Sequence, residues 1–155
     1  MTTRLVQAKS QGHWQQVRQF IDEYVASMNV DLSFQNIGHE LENLATEYAA
    51  PAGAFLLAEE NGIYLGCVGL RRFADRVGEI KRLYVSPFGR GRGIGRFLVE
   101  GVVAAAKQQG YGRLVLDTLP SMREALSLYA SMGFRPTAPY RFNPVPGTAY
   151  LEKLL

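Results

Sequence analysis

The sequence predicts an α/β fold built on one mixed sheet of about seven strands, with helices on both faces. Three observations predict it. Apolar stretches at strand spacing alternate with stripes at helical spacing along the whole chain. Three of the strands run consecutively as an antiparallel meander, the first two joined at Asn61-Gly62. The next two strands are each preceded by a helix, and strands interleaved with helices after a meander imply a mixed sheet covered on both faces.

In chain order, Arg4–Ala8 is a short candidate strand. Trp14, Val17, Ile21, Tyr24, Val25 and Met28 mark a first helix, and Phe34, Ile37, Leu41, Leu44 and Tyr48 a second. Pro51 and Gly53 break the chain. Ala54–Glu59 and Ile63–Arg71 are strands of a hairpin, and Glu79–Val85 is the third strand, ended by Ser86-Pro87. Arg90–Gln109 is a glycine-rich loop running into a helix, with Gly110 as its stop. Arg113–Thr118 is a short buried strand. Ser121 and Glu124 fit a capping box that opens a helix through Met132, stopped by Gly133. Phe134 begins a penultimate strand, Asn143–Gly147 is a turn, and Ala149–Leu155 is the last strand.

The chain has 155 residues, a length suited to one domain spanning residues 1–155. No apolar run approaches the ~18 residues that span a bilayer. Met1–Ser10 lacks a signal-peptide pattern, so the expected location is cytoplasmic. Cys67 is the single cysteine, which leaves buried filler as its expected role, and no metal-ligand spacing is present. The net charge is +3, and thirteen of the seventeen basic residues are Arg. Between Arg71 and Arg96 eight basic residues face only Asp75 and Glu79, a distribution that fits an anionic ligand.

The segment Glu79–Arg96 carries the chemistry. A strand ends, a loop turns, and a helix begins. The first amides of a helix have no internal partner, and the helix dipole adds positive charge there. That combination is an anion site. Gly91, Gly93 and Gly95 let a phosphate approach the backbone of Ile94 and its neighbours, and Arg90, Arg92 and Arg96 add charge. The loop lacks the Gly-Lys-Ser/Thr ending of a P-loop, and Arg96 stands where a dinucleotide fingerprint needs its third glycine. The glycines punctuate a strand–helix junction, which argues against an Arg-Gly nucleic-acid segment.

The pattern Arg90-x-x-Gly93-x-Gly95 resembles the pyrophosphate loop of the GNAT superfamily of acetyl-CoA-dependent N-acetyltransferases. A second block, Ala125-x-x-Leu128-Tyr129-x-x-x-Gly133-Phe134, resembles that superfamily's later helix and following strand. The element order agrees along the whole chain. The resemblance implies a GNAT-type acyl-CoA N-acyltransferase fold with acetyl-CoA as donor. It implies that amides of Gly91–Arg96 hold the pyrophosphate and that the main chain of Leu83, Tyr84 and Val85 pairs with the pantetheine arm. Tyr129 matches the tyrosine that protonates the leaving thiolate. Met122 stands where the superfamily often has Asn. Many members are dimers, so a homodimer is an open expectation, with no interface legible.

Acetyl transfer to an amine needs a neutral amine, a polarised carbonyl and a leaving thiolate. Glu79, beside the expected thioester site, is the candidate base, with Asp117 as a weaker one and desolvation of the amine as an alternative. The bland reading makes Glu79 an ion-paired strand residue and Tyr129 a buried helix tyrosine. Tyr24, Asn29, Asp31, Tyr140 and Asn143 are candidate walls for the acceptor. The expected acceptor is a primary amine of a small molecule. Competing readings are acetylation of protein N-termini or lysines, an acyl-CoA-binding module without turnover, and a nucleic-acid binder; the presence of both Glu79 and Tyr129 argues against the module.

Overall fold

The computed structural model describes residues 2–28 and 36–155. Its elements are β1 (Arg4–Gln7), α1 (Gln11–Met28), α2 (Ile37–Glu42), α3 (Leu44–Glu47), β2 (Ala54–Glu60), β3 (Ile63–Ala74), β4 (Val77–Val85), α4 (Ile94–Gln108), β5 (Arg113–Thr118), α5 (Arg123–Ser131), β6 (Arg135–Pro136) and β7 (Ala149–Leu154). The strands form one seven-stranded sheet in the order β1-β2-β3-β4-β5-β7-β6. Every neighbouring pair is antiparallel except β4 and β5, which run parallel. This is the mixed sheet that the sequence predicts.

Two apolar layers cover the faces. On one, Ile94, Leu98, Val99, Val102 and Ala106 of α4 pack with Tyr129 of α5 on Leu56, Val68, Leu70, Ile80 and Leu116. The α4 stripe recurs every three or four residues, the spacing of one helix face. On the other, Val17, Phe20 and Ile21 of α1 pack with Leu44 and Tyr48 on Phe55, Leu57 and Cys67. Tyr48 meets the Phe55 ring edge-on at 4.6 Å between centroids.

Asn61 and Gly62 both hold positive φ, 53° and 79°, as a two-residue turn between twisted strands requires. Two expectations differ in detail. The second helical stripe is two short helices rather than one, broken at Asn43, whose side-chain amide donates to the His39 carbonyl at 2.8 Å. A side chain that satisfies a backbone carbonyl locally lets the ladder end. Phe34, the first residue of that stripe, lies outside the described residues. The Ser121–Glu124 capping box does not form: Met122 N–H bonds the Leu119 carbonyl at 3.0 Å in a tight turn after β5. Met122 therefore takes the N-cap position of α5, with no side-chain cap.

Candidate active site

The parallel strands β4 and β5 pair only over Val77–Glu79 and Arg113–Val115. Beyond Glu79 they part, and β4 leaves its main chain open on that side. Two hollows follow the gap. An outer cleft of about 290 Å³ is lined by Leu83, Tyr84 and Val85, by the loop glycines and by Leu128 of α5. An inner chamber of about 40 Å³ is lined by Tyr24, Lys81, Arg82, Asp117, Thr118 and Tyr129. Leu83, Met122 and Ala125 line both, so the two hollows are neighbours along β4 and α5.

A β-bulge aims β4 into the gap. Lys81 pairs with Gly69 and Tyr84 with Cys67, so Arg82 and Leu83 together oppose the single Val68. Arg82 holds φ at 60°, a left-handed conformation that a non-glycine residue adopts only under constraint. The constraint is visible. Arg82 Nε and Nη2 each donate to Glu40 of α2 at 2.9 Å, and the buried Cys67 thiol donates to the Arg82 carbonyl at 3.4 Å. Tyr48 Oη completes the set with a 2.9 Å bond to Glu40. Burial alone would raise the Glu40 carboxyl, but the hydrogen bonds and charge of Arg82 outweigh it and hold the pKa below its ordinary value.

The mouth of α4 is bare. Gly93 is its N-cap with φ 77° and no side-chain cap, and Gly91 holds φ 74°. The first helical bond runs from Phe97 N–H to the Gly93 carbonyl at 3.0 Å. The amides of Ile94, Gly95 and Arg96 thus precede the helix's own ladder. A Cβ at Gly91 or Gly93 would meet open space, so those glycines serve backbone conformation. A Cβ at Gly95 would lie 3.1 Å from Leu128, so that glycine lets α4 and α5 approach.

The three loop arginines do not act together. Arg90 lines the cleft, its Nε donating to the Val85 carbonyl at 3.3 Å. Arg92 donates to both oxygens of Glu60 at 2.6 Å, and Arg96 donates to Ser131 Oγ at 2.9 Å. Sequence spacing placed the three around one anion; β2 and α5 instead supply partners that draw two of them aside.

Tyr129 is buried, with its phenol at the chamber wall and its ring 5.2 Å from that of Phe134. Burial, with a smaller contribution from Tyr24, pushes its pKa well up, so it stays protonated. Glu79 is fully buried and committed. Oε1 accepts from Arg71 at 3.2 Å and Arg141 at 2.7 Å, and Oε2 accepts from Tyr140 Oη at 2.8 Å. It lines neither hollow. Those donors occupy both oxygens, which runs against the expected base role. Tyr140 accordingly serves Glu79 rather than standing free at the wall. Asn143 donates to Asp117 Oδ2 at 3.0 Å and accepts from Val145 N–H. Tyr24 lines the chamber; Asn29 and Asp31 lie outside the described residues.

Sequence reading passed over Glu40, Lys81, Arg82 and Arg141 as site residues. One signal was present: consecutive charges at Lys81-Arg82 break the alternation of a half-buried strand, which is what a bulge does. Among the described residues no helix is long and apolar enough to cross a membrane.

The comparisons with known proteins agree with this geometry. Residues 17–134 match the model of the acetyltransferase (GNAT) family. An uncharacterized N-acetyltransferase of Schizosaccharomyces pombe is 40% identical over 137 residues, covering 87% of this chain and 84% of the relative. A GNAT-family acetyltransferase of Staphylococcus aureus superposes with a TM-score of 0.81 at 22% identity, covering 99% of both chains. The PaiA N-acetyltransferase of Thermoplasma acidophilum, solved in complex with coenzyme A, superposes with a TM-score of 0.77 at 16% identity over 100% of both. An extended family match, a relative of high coverage and a shared fold converge: the chain belongs to the GNAT family of acetyltransferases.

Proposed function

We propose that the protein transfers the acetyl group of acetyl-CoA to a primary amine of a small molecule. The observation that carries this reading is the succession of a bare mouth at α4, an open edge of β4 lining the outer cleft, and the neighbouring chamber with Tyr129 in its wall. The amides of Ile94, Gly95 and Arg96 suit a diphosphate, with Arg90 beside them. The open main chain of Leu83–Val85 suits an extended, amide-bearing arm that adds as a strand. At the bulge, the β4 main chain supplies a donor to the thioester oxygen, where negative charge develops. Tyr129 gives its proton to the departing sulfur. Asp117, with Oδ1 outside its bond to Asn143, attracts the incoming amine more readily than the saturated Glu79.

The inner chamber is small, and the chain at Tyr140–Arg141 is pinned over Glu79, which favours a small molecule over an extended peptide. The test is release of free thiol from acetyl-CoA across polyamines, amino acids, aminoglycosides and lysine peptides. Amine-dependent release with small amines supports the proposal. Release with peptides alone would replace the acceptor class, and release with none would contradict the activity.

A further inference from the structure

Lys81 is a buried amine that the scheme above leaves without a task. Its side chain is 3% exposed and forms part of the chamber wall. The Glu79 carboxylate is 4.0 Å from Nζ, beyond hydrogen-bond distance, and no described residue accepts a hydrogen bond from it. Every other cation near it is better matched: Arg82 holds Glu40, and Arg71 and Arg141 hold Glu79. Resting on the acetyltransferase reading, we propose that the Lys81 amino group takes the proton of the acceptor amine as that amine attacks the thioester.

The step balances. The amine lone pair forms the C–N bond to the acetyl carbon, and the C–S bond breaks with its electrons on sulfur. The proton on the new C–N nitrogen passes to neutral Lys81 Nζ, while Tyr129 Oη protonates the thiolate. Solvent carries the Lys81 proton back to the Tyr129 phenolate, so amine and thioester become amide and thiol with no net proton.

The surroundings suit the task. Burial lowers the Lys81 pKa first, and Arg82 and Arg71 lower it further; Glu79 and Asp117 raise it, leaving it at about 8. The other titratable groups around it are Tyr24 on α1, Glu40 on α2 and Tyr129 on α5. A base near working pH exchanges protons with an amine of pKa about 10.4 far more readily than a carboxylate near 4 does.

The experiment pairs kinetics with direct titration. For wild type, kcat should rise with pH along a limb near the Lys81 value. K81M should lose about 10²-fold or more in kcat with coenzyme A affinity kept, and that limb should vanish. K81R keeps the charge but cannot release a proton, so it should be as slow as K81M. Rescue by K81R, or an unchanged limb in K81M, overturns the proposal. The chain has only four lysines, so the Lys81 amine can be followed by NMR in labelled wild-type protein without any turnover. A Lys81 titration at the ordinary lysine value overturns the proposal, as does acetylation of Lys81 itself on incubation with acetyl-CoA alone. Absence of thiol release by wild type with every amine would instead overturn the acetyltransferase reading, and is distinguished by the NMR titration.

Discussion

Arg82 and Glu40 are joined by two 2.9 Å hydrogen bonds, and this pair ties the left-handed turn of β4 to helix α2. Both side chains are almost fully buried. Removing one member leaves the other as an uncompensated buried charge, at a cost of about 3–5 kcal/mol. Glu40→Ala should therefore lose a large share of the stability of a domain of this size and blunt coenzyme A binding through the bulge; urea unfolding measures the first and calorimetric titration the second. The sign with pH follows from the lowered Glu40 pKa. Its contribution is full above the ordinary 4.5 and is lost as pH falls through the lower folded value. Acid unfolding should therefore shift to higher pH when the pair is broken.

Lys81 gives the same sign in an alkaline window. Its folded pKa of about 8 lies below its ordinary 10.5, so the unfolded chain holds more protons between those values. Stability should rise with pH across that window, and K81M should abolish the rise. Thermal unfolding at stepped pH checks it.

Tyr129→Phe removes the proton donor and leaves the ring packed on Phe134. A general acid contributes about 10²–10⁴-fold. The variant should lose rate in that range with acetyl-CoA affinity unchanged, as steady-state rates and a binding titration will show. Unchanged turnover would remove Tyr129 from the chemistry.

Arg90 and Arg92 should behave differently despite standing two residues apart. Arg90→Ala should weaken coenzyme A binding about tenfold at low salt and less at high salt, since its charge lines the cleft. Arg92→Ala should leave that affinity alone, because its guanidinium is drawn away from the cleft to the Glu60 carboxylate.

Glu79→Gln should cost about 2–3 kcal/mol by weakening the acceptor for Arg71, Arg141 and Tyr140. It should shift the rising limb of the rate profile to lower pH without abolishing it, because the Glu79 carboxylate raises the Lys81 pKa. Loss of that limb in the variant would restore Glu79 as the base.

The legible parts of this molecule were those with local causes. Asn61-Gly62 demanded positive φ and has it, β5 spans Arg113–Thr118 as its apolar run indicated, and the glycines before α4 mark its bare mouth. What spacing could not reach was partnership across the sheet. Arg92 finds Glu60 thirty-two residues away, and Arg82 finds Glu40 forty-two away. Glu79 is saturated by Arg71 on β3 and by a chain segment sixty residues later. Whether a charge faces a ligand or another charge is decided by those distant partners: the strand carboxylate expected to act as a base holds three side-chain donors, and Lys81, two residues on, lines the chamber.

In the proposed complex the diphosphate of coenzyme A sits on the main-chain amides at the start of α4, with its arm along β4. Amide NMR of labelled protein titrated with coenzyme A tests it most directly. Saturable shifts are expected at Gly93, Ile94, Gly95 and Arg96 and at Leu83–Val85, reduced in Arg90→Ala. Shifts confined to other parts of the chain, with these amides unmoved, would contradict it.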